Sequence, residues 1–436
     1  MSTISSFFQN SQHLVTGTAP GRLDVMGGIA DYSGSWVLQM PIREQAAVRA
    51  ALRDDGLLRV FSADLGEVFK VKISELPTDY AAARAFFAER KNGSWAAYVV
   101  GCLLVLIKEK NLPFPAGLDL HVQSDVPIGK GVSSSAAIEI ATMRALGKLF
   151  NVNFQGTEMA LLAQQAENQV AGSPCGLMDQ LASCFGRPGS LLPIHCQPDR
   201  LLDPIELPPG IAFLGLDSGI RHAVSGASYG NVRTAAYMGY SLIACAEGAS
   251  PGDLHRARRA GHREALPYGG YLCNISPSVF EKKYARLLPE VMRGEDFLKN
   301  FGETADPVSS VAPGEIYRVQ ACVRHPVYEN ARVQAFAALI RQTPTMDSLR
   351  LLGKWMYQSH ESYSSVGLGN AHTDEIVEMV RAAGEKRWLF GAKITGGGSG
   401  GTVCVLCFGN EGLAAAREVF ENYRSKYGGD LKLIQT

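Results

Sequence analysis

An α+β fold in two domains is what this sequence predicts, on three observations. At 436 residues the chain is longer than one ordinary hydrophobic core accommodates. Short β-like runs and longer runs of helical period are interspersed through its first half, and the pattern recurs near its end. A proline-rich break from Pro204 to Gly210 separates the parts, which places the domains at residues 1–207 and 208–436.

Each element follows from its residues. The segments 37–42 (VLQMPI), 57–63 (LLRVFSA) and 117–125 (GLDLHVQSD) read as strands, whereas 95–110, 136–150 and 157–171 (TEMALLAQQAENQVA) read as helices. Beyond the break, IAFLGLDSG opens a new strand at Ile211. A helix around TDEIVEMVRAAG, a glycine turn, the strand TVCVLCF and the helix EGLAAAREVFENYRSKYG complete the chain. Helices alternating with strands of an antiparallel sheet make an α+β sandwich. Residues 246–316 show no clear period, and their basic cluster His255-Arg256-Ala257-Arg258-Arg259 is expected to be a solvated helix face.

Composition excludes several classes. Forty-two basic residues balance 42 acidic ones without a lysine- or arginine-rich run, so no nucleic-acid partner is expected. The longest apolar run, Trp95 to Ile107, is short for a bilayer span, so no membrane is expected either. MSTISSFFQN has no basic-then-apolar leader pattern, and nine cysteines without framework spacing suit reduced thiols, so a cytoplasmic location is expected. Cys404 and Cys407 fall three apart in a strand and point to opposite faces, which argues against a metal site.

The chemistry is concentrated in Asp125-Val126-Pro127-Ile128-Gly129-Lys130-Gly131-Val132-Ser133-Ser134-Ser135-Ala136-Ala137. Gly129 and Gly131 let the backbone approach an anion, Ser133, Ser134 and Ser135 offer donors, and the following helix turns its positive end toward phosphate. A serine-capped helix after a loop fits the same residues. In Gly396-Gly397-Gly398-Ser399-Gly400-Gly401, Gly397 and Gly398 suit close approach to a phosphate or substrate, or a flexible hinge. Trp95 and Tyr98 fit an adenine wall or plain core. Asp179 follows Pro174-Cys175-Gly176, a turn that presents a carboxylate at a helix start, where an aspartate also serves as a cap.

These segments, with Ala19-Pro20-Gly21-Arg22-Leu23-Asp24-Val25-Met26-Gly27-Gly28-Ile29-Ala30-Asp31-Tyr32 ahead of them, resemble the three motifs of the GHMP small-molecule kinases. Pro174-Cys175-Gly176-Leu177-Met178-Asp179-Gln180 and Ser359-His360-Glu361-Ser362 are similar to the galactokinase branch. Gly269-Gly270-Tyr271-Leu272-Cys273-Asn274 and Arg324-His325-Pro326-Val327-Tyr328-Glu329-Asn330 look like the kinase portion of arabinokinases. The resemblance implies a ribosomal S5-like N-terminal domain, a ferredoxin-like C-terminal domain, and an active site in the cleft between them.

It also implies the cofactors ATP and Mg2+ and a set of roles. Asp179 matches the catalytic aspartate and Arg22 its arginine partner. Glu167 matches the magnesium glutamate, with Ser134 the matching hydroxyl and Ser133 or Ser135 the alternatives. Asp31 and Tyr229 match sugar contacts, with Gly176 beside them. Gly28 and Ile29 stand where galactokinases carry a glutamate and a histidine for the hydroxymethyl group of galactose. L-Arabinopyranose lacks that group, so the resemblance implies transfer of the ATP γ-phosphoryl group to the anomeric hydroxyl of L-arabinose. D-Galactose is the alternative substrate, and a sugar and nucleotide sensor the alternative function. The double substitution Gly28→Glu with Ile29→His is expected to move preference toward galactose.

Overall fold

The computed structural model describes residues 7–9, 12–173, 175–220, 227–261 and 263–436. The chain forms two compact units that interleave in sequence: residues 1–22, 41–128 and 132–188 in the first, and 23–40, 129–131 and 189–436 in the second.

The sheet of the first unit runs Glu67–Lys72, Leu57–Ser62, Leu118–Ser124 and the later part of Trp36–Leu52. Leu57–Ser62 lies parallel to Leu118–Ser124 and the other pairs are antiparallel. Leu58, Val60, Phe69 and Val71 are buried at alternate positions, the period expected of a half-covered sheet. Helix Gly93–Glu109 buries residues around most of its circumference because neighbours flank it. One such contact is close: a Cβ on Gly101 would meet Val170 at 3.1 Å.

The expected helix at 157–171 is not uniform. It is α-helical over Glu158–Gln165 and widens to a π turn over Ala166–Ala171, ending at Gly172 in the left-handed conformation. Arg84 donates to the Asn168 carbonyl there, and Ser173 N–H closes on the Glu167 carbonyl at 3.1 Å. A period-based reading cannot see this widening, because it depends on contacts from outside the segment.

In the second unit, an antiparallel sheet runs Leu389–Ile394, Thr402–Phe408, Ile211–Asp217 and Leu433–Gln435. Ile376, Val377 and Val380 of helix Ala371–Ala383, with Ala416, Phe420 and Tyr423 of helix Gly409–Tyr427, join its core. A second apolar cluster gathers Ile29 and Tyr32, helix Ala227–Ala246, helix Val319–Ile340 and the irregular stretch between them. Within that stretch the basic cluster meets the expectation in part: Arg256 and Arg259 are exposed, whereas His255 and Arg258 turn to a neighbouring loop. His255 Nε2 sits 2.6 Å from the Phe301 carbonyl, and Arg258 donates to the Asp306 and Ser309 carbonyls, so these side chains pin helix Pro251–Ala260 to a loop. The loop's free carbonyls supply the reason, and they lie too far along the chain for local pattern to reveal.

Candidate active site

In the first unit, Arg22 and Asp179 meet. Arg22 donates from Nε and Nη2 to Asp179 Oδ1 at 3.0 and 2.8 Å, with the guanidinium side 4% exposed and the carboxylate 26%. Arg22 N–H in turn donates to the Val132 carbonyl at 3.0 Å, which ties the ion pair to the serine segment. Asp179 is the second residue of helix Met178–Phe185, whose cap position belongs to Leu177, so it does not act as the N-cap. Pro174, part of the turn ahead of it, lies outside the described residues.

Ser133 occupies the cap of helix Ser134–Phe150 with φ +58, yet its side chain makes no capping bond, and its buried Oγ has no partner. A non-glycine residue held in left-handed geometry with an unsatisfied hydroxyl is a local cost that the surrounding fold must offset. Behind the serines lies an acidic cluster. Glu167, the second residue of the π turn, accepts from Gln180 Nε2 at 2.6 Å and from the Cys175 thiol at 3.3 Å, and it hydrogen-bonds Ser135. Gln180 Nε2 also donates to Glu139 at 3.0 Å. Burial, then the charge of Asp179, pushes Glu167 up to about 7; burial, then the charge of Glu167, pushes Glu139 well above the usual carboxylate range. Glu139 Oε1 and Gln180 Oε1 are buried without partners.

A divalent cation fits these residues. Carboxylates that raise one another's pKa, a nearby hydroxyl and orphaned oxygens form an electrostatic deficit that a cation would fill. Among the described residues no three His, Cys, Asp or Glu side chains converge as a complete cage. Mg2+ ordinarily keeps waters and phosphate oxygens as its remaining ligands. Trp95 is half-buried and donates from Nε1 to Glu67 at 2.9 Å. Gly176 lies between Cys175 and the helix start.

In the second unit, the two glycine segments come together. A Cβ on Gly131 would meet the Thr395 carbonyl at 3.1 Å, and Cβ atoms on Gly396 and Gly401 would meet the Gly131 and Lys130 carbonyls at 2.6 and 2.8 Å. Gly129 and Gly131 have φ +72 and +71, which L side chains rarely adopt. Lys130 Nζ pairs with Asp217 Oδ1 at 2.9 Å, and its carbonyl accepts from Thr402 Oγ1 at 2.9 Å. The Gly396–Gly401 loop is anchored by Ser399 N–H to the Leu368 carbonyl (2.7 Å) and Gly401 N–H to the Ile220 carbonyl (3.0 Å), which disfavours a hinge. Gly397 is half-exposed, whereas Gly398 packs on Leu368 and Tyr363.

The same unit holds Asp31, Gly28, Ile29 and Tyr229. Gly28–Ser33 is a buried 3₁₀ turn, with Asp31 Oδ1 accepting from Tyr32 N–H at 2.6 Å. Ile29 is packed in the apolar cluster, and Tyr229 stands 6.0 Å from the Tyr32 ring, near edge-on. Beneath the turn lies an ion pair with both side chains fully buried, Lys393 Nζ to Asp24 Oδ2 at 2.6 Å. Asp24 Oδ1 accepts from Gly28 N–H (2.9 Å) and Gln39 Nε2 (2.7 Å), and Asp24 N–H donates to Thr395 Oγ1 (2.7 Å). Glu329 Oε1 accepts from Gly27 N–H at 3.2 Å and Ser359 Oγ at 2.6 Å.

A side chain at position 28 has no room. A Cβ there would overlap the Tyr363 hydroxyl and approach Asp24 Oδ2 to 2.8 Å, at φ +39. A glutamate at 28 would therefore require Tyr363 and the backbone to shift, a cost the expected move toward galactose in the Gly28→Glu with Ile29→His protein has to overcome. Asp24, Lys393, Tyr363 and Glu139 have no assigned role in the sequence reading. Two left a signal: a lone lysine in the apolar run LFGAKI and a lone glutamate among the apolar residues of AAIEIATM.

The GHMP kinase N-terminal domain family matches residues 97–187, and the GHMP kinase C-terminal family matches residues 335–429. The chain is 38% identical to an L-arabinokinase of Arabidopsis thaliana over 95% of its own length, but spans only 44% of that relative. It is 30% identical to a galactokinase of Chloroflexus aggregans, covering 89% of this chain and 82% of that one. A Lactococcus lactis galactokinase, solved complexed with galactose, superposes with TM-score 0.75 at 21% identity, covering 99% and 96% of the two chains. That superposition bears out the two-domain α+β kinase fold. No helix among the described residues is long and apolar enough to cross a membrane. The chain belongs to the GHMP kinases and, within them, to the sugar kinases of the galactokinase type.

Proposed function

We propose that this kinase transfers the γ-phosphoryl group of ATP to the anomeric hydroxyl of L-arabinose, giving L-arabinose 1-phosphate and ADP. The observation that carries the reading is the Gly28–Ile29 pair: position 28 is closed to side chains and Ile29 is sunk in an apolar cluster. The turn that holds Asp31 thus offers no polar side chain at 28 or 29 to an exocyclic hydroxymethyl. The likeness to the plant L-arabinokinase points the same way.

In this mechanism Asp179 takes the proton of the anomeric hydroxyl as its oxygen attacks the γ-phosphorus and the bond to ADP breaks. Arg22 fixes the Asp179 carboxylate and adds positive charge beside it. Asp31, with Tyr229 and Gly176, orients the sugar; Gly28 and Ile29 bound its unsubstituted end. Gly129, Gly131, Ser133, Ser134, Ser135, Gly397 and Gly398 receive the nucleotide phosphates, with Trp95 toward the base. Glu167 with Ser134 or Ser135 would hold Mg2+, which when bound would neutralise charge on the phosphate oxygens.

The test is kcat/KM for L-arabinose and D-galactose with magnesium and ATP, read as ADP release. Burying the extra galactose hydroxyl without a partner costs about 1–3 kcal/mol, so L-arabinose should win by at least about tenfold. A native preference for galactose would overturn the pentose reading and leave a galactokinase.

A further inference from the structure

Tyr363 lies near the end of helix Met346–Ser365 and is fully buried. Its hydroxyl accepts from Ile29 N–H at 3.0 Å and donates to the Gly396 carbonyl at 3.0 Å. One phenol thereby joins the turn that holds Asp31 to the first glycine of the Gly396–Gly401 loop. The ring is fixed on its sides: His325 stands edge-on at 5.3 Å, and Lys393 Nζ lies 5.3 Å from the ring centroid.

The same side chain limits two glycines. A Cβ on Gly28 would overlap the hydroxyl and reach within 3.0 Å of the ring carbon that bears it, and a Cβ on Gly398 would come within 3.2 Å of Cδ1. A tyrosine serving only as filler would not need a hydroxyl bonded at both lone pair and proton to backbone of two separate segments. Burial, then the charge of Asp24, raises its pKa well above the usual phenol range, so it remains a donor throughout the working pH.

We propose that Tyr363 is the positioning residue of the sugar pocket: it locks the Gly28–Ser33 turn to the glycine loop and, by filling the space beside Gly28, keeps that position bare and so sets the size of sugar accepted. This rests on the reading of the turn as the monosaccharide site.

The experiment is a mutant cycle with initial rates and thermal melts, using whichever monosaccharide the native enzyme phosphorylates. Tyr363→Phe removes only the hydroxyl, and should raise the sugar KM by roughly fivefold or more while the ATP KM and kcat change by less than about twofold. Gly28→Ala should lower kcat/KM by at least about a hundredfold in the native background. In a Tyr363→Leu background, which lacks both the hydroxyl and the para carbon, the same change should cost at least about tenfold less. Backbone strain at φ +39 and the approach to Asp24 are present in both backgrounds and cancel.

If Gly28→Ala does not fold alone but folds with Tyr363→Leu, the steric coupling is upheld. Equal penalties in the two backgrounds, or a Tyr363→Phe enzyme whose sugar KM is unchanged or rises no more than its ATP KM, would overturn the inference. A native preference for galactose overturns only the pentose reading, because the cycle is then run on galactose.

Discussion

The acidic cluster of the first unit and the ion-pair network of the second are both buried and both polar, yet their charges are balanced to different degrees. In the network each charge meets its opposite: Asp24 with Lys393, and Glu329 with Arg332 at 2.7 Å. Burial works against ionisation of Glu329, but Arg332, His325 and Ser359 outweigh it and hold its pKa down to about 2. In the cluster, Asp179 alone meets Arg22, Glu139 and Glu167 are pushed upward, and Ser133 Oγ, Glu139 Oε1 and Gln180 Oε1 lack partners. Orphaned polar atoms occur in both, Gln39 Oε1 and His325 Nε2 among them in the network, so the difference lies in the charges: opposite charges in contact hold a backbone, whereas like charges held together suit a cation. The network of the second unit supports the Gly28–Ser33 turn, proposed above to meet the sugar, and the cluster of the first lies where phosphate and its metal are proposed to bind.

Breaking the network should give the largest effect. Lys393→Ala strands Asp24 as a buried charge, and should lower unfolding free energy by about 3–5 kcal/mol in urea titration. Removing both charges with Lys393→Met and Asp24→Asn should cost less than the single change. A Lys393→Ala protein within about 1 kcal/mol of native would show that the pair does not hold the turn.

Asp179→Asn attacks the other side of the comparison. It should retain the fold and sugar binding while lowering turnover by roughly a hundredfold or more, the scale of losing a positioned base. Near-native turnover in the purified variant would remove Asp179 from the proton transfer.

Glu167→Gln keeps the hydrogen-bonding shape but removes charge from the cluster. The magnesium concentration for half-maximal rate should rise by on the order of tenfold, with the sugar KM nearly unchanged. An unaltered magnesium titration would assign the metal to other residues.

Acid should separate the two regions by sign, with the smallest effect. Glu167 has its pKa raised in the folded protein, so its cost is absent below about 4.5 and grows as pH rises toward 7. Burial depresses His325 to about 4, so its contribution is present above about 6.5 and lost as pH falls through 4; that of Glu329 is lost between about 4.5 and 2. Acidification from pH 7 to 4.5 therefore relieves the cluster while it weakens the network. Glu167→Gln should lose stability over that interval more steeply than the native protein, by about 1 kcal/mol or more in urea titrations at each pH. Parallel profiles would show that the carboxyl does not carry the buried strain.

Much of the candidate site was legible because its signals are local. The glycines at 129 and 131 announce backbone that only glycine adopts easily, and Asp179 was placed at a helix start by the turn before it. The resemblance of the motifs supplied the partners, and Arg22 and Asp179 do meet across 157 residues. The strands at 57–62 and 118–124 and the helix at 93–109 were equally readable, since alternation and continuous apolarity are properties of a short window.

The residues alone carried the α+β class, the glycine turns and a minority of the element spans, and their resemblance to a known family carried the motif residues; the long helices Ala227–Ala246, Val319–Ile340 and Met346–Ser365 went unread. Only the tertiary structure decided that Lys393 neutralises Asp24, 369 residues away, that Tyr363 caps Ile29 across 334, and that the helix before Gly172 opens into a π turn around Glu167. The physical reason is common to all three. A buried charge, a filled volume and a widened turn are each stable only with their partners in place, and nothing in the neighbouring residues specifies which distant side chain will arrive.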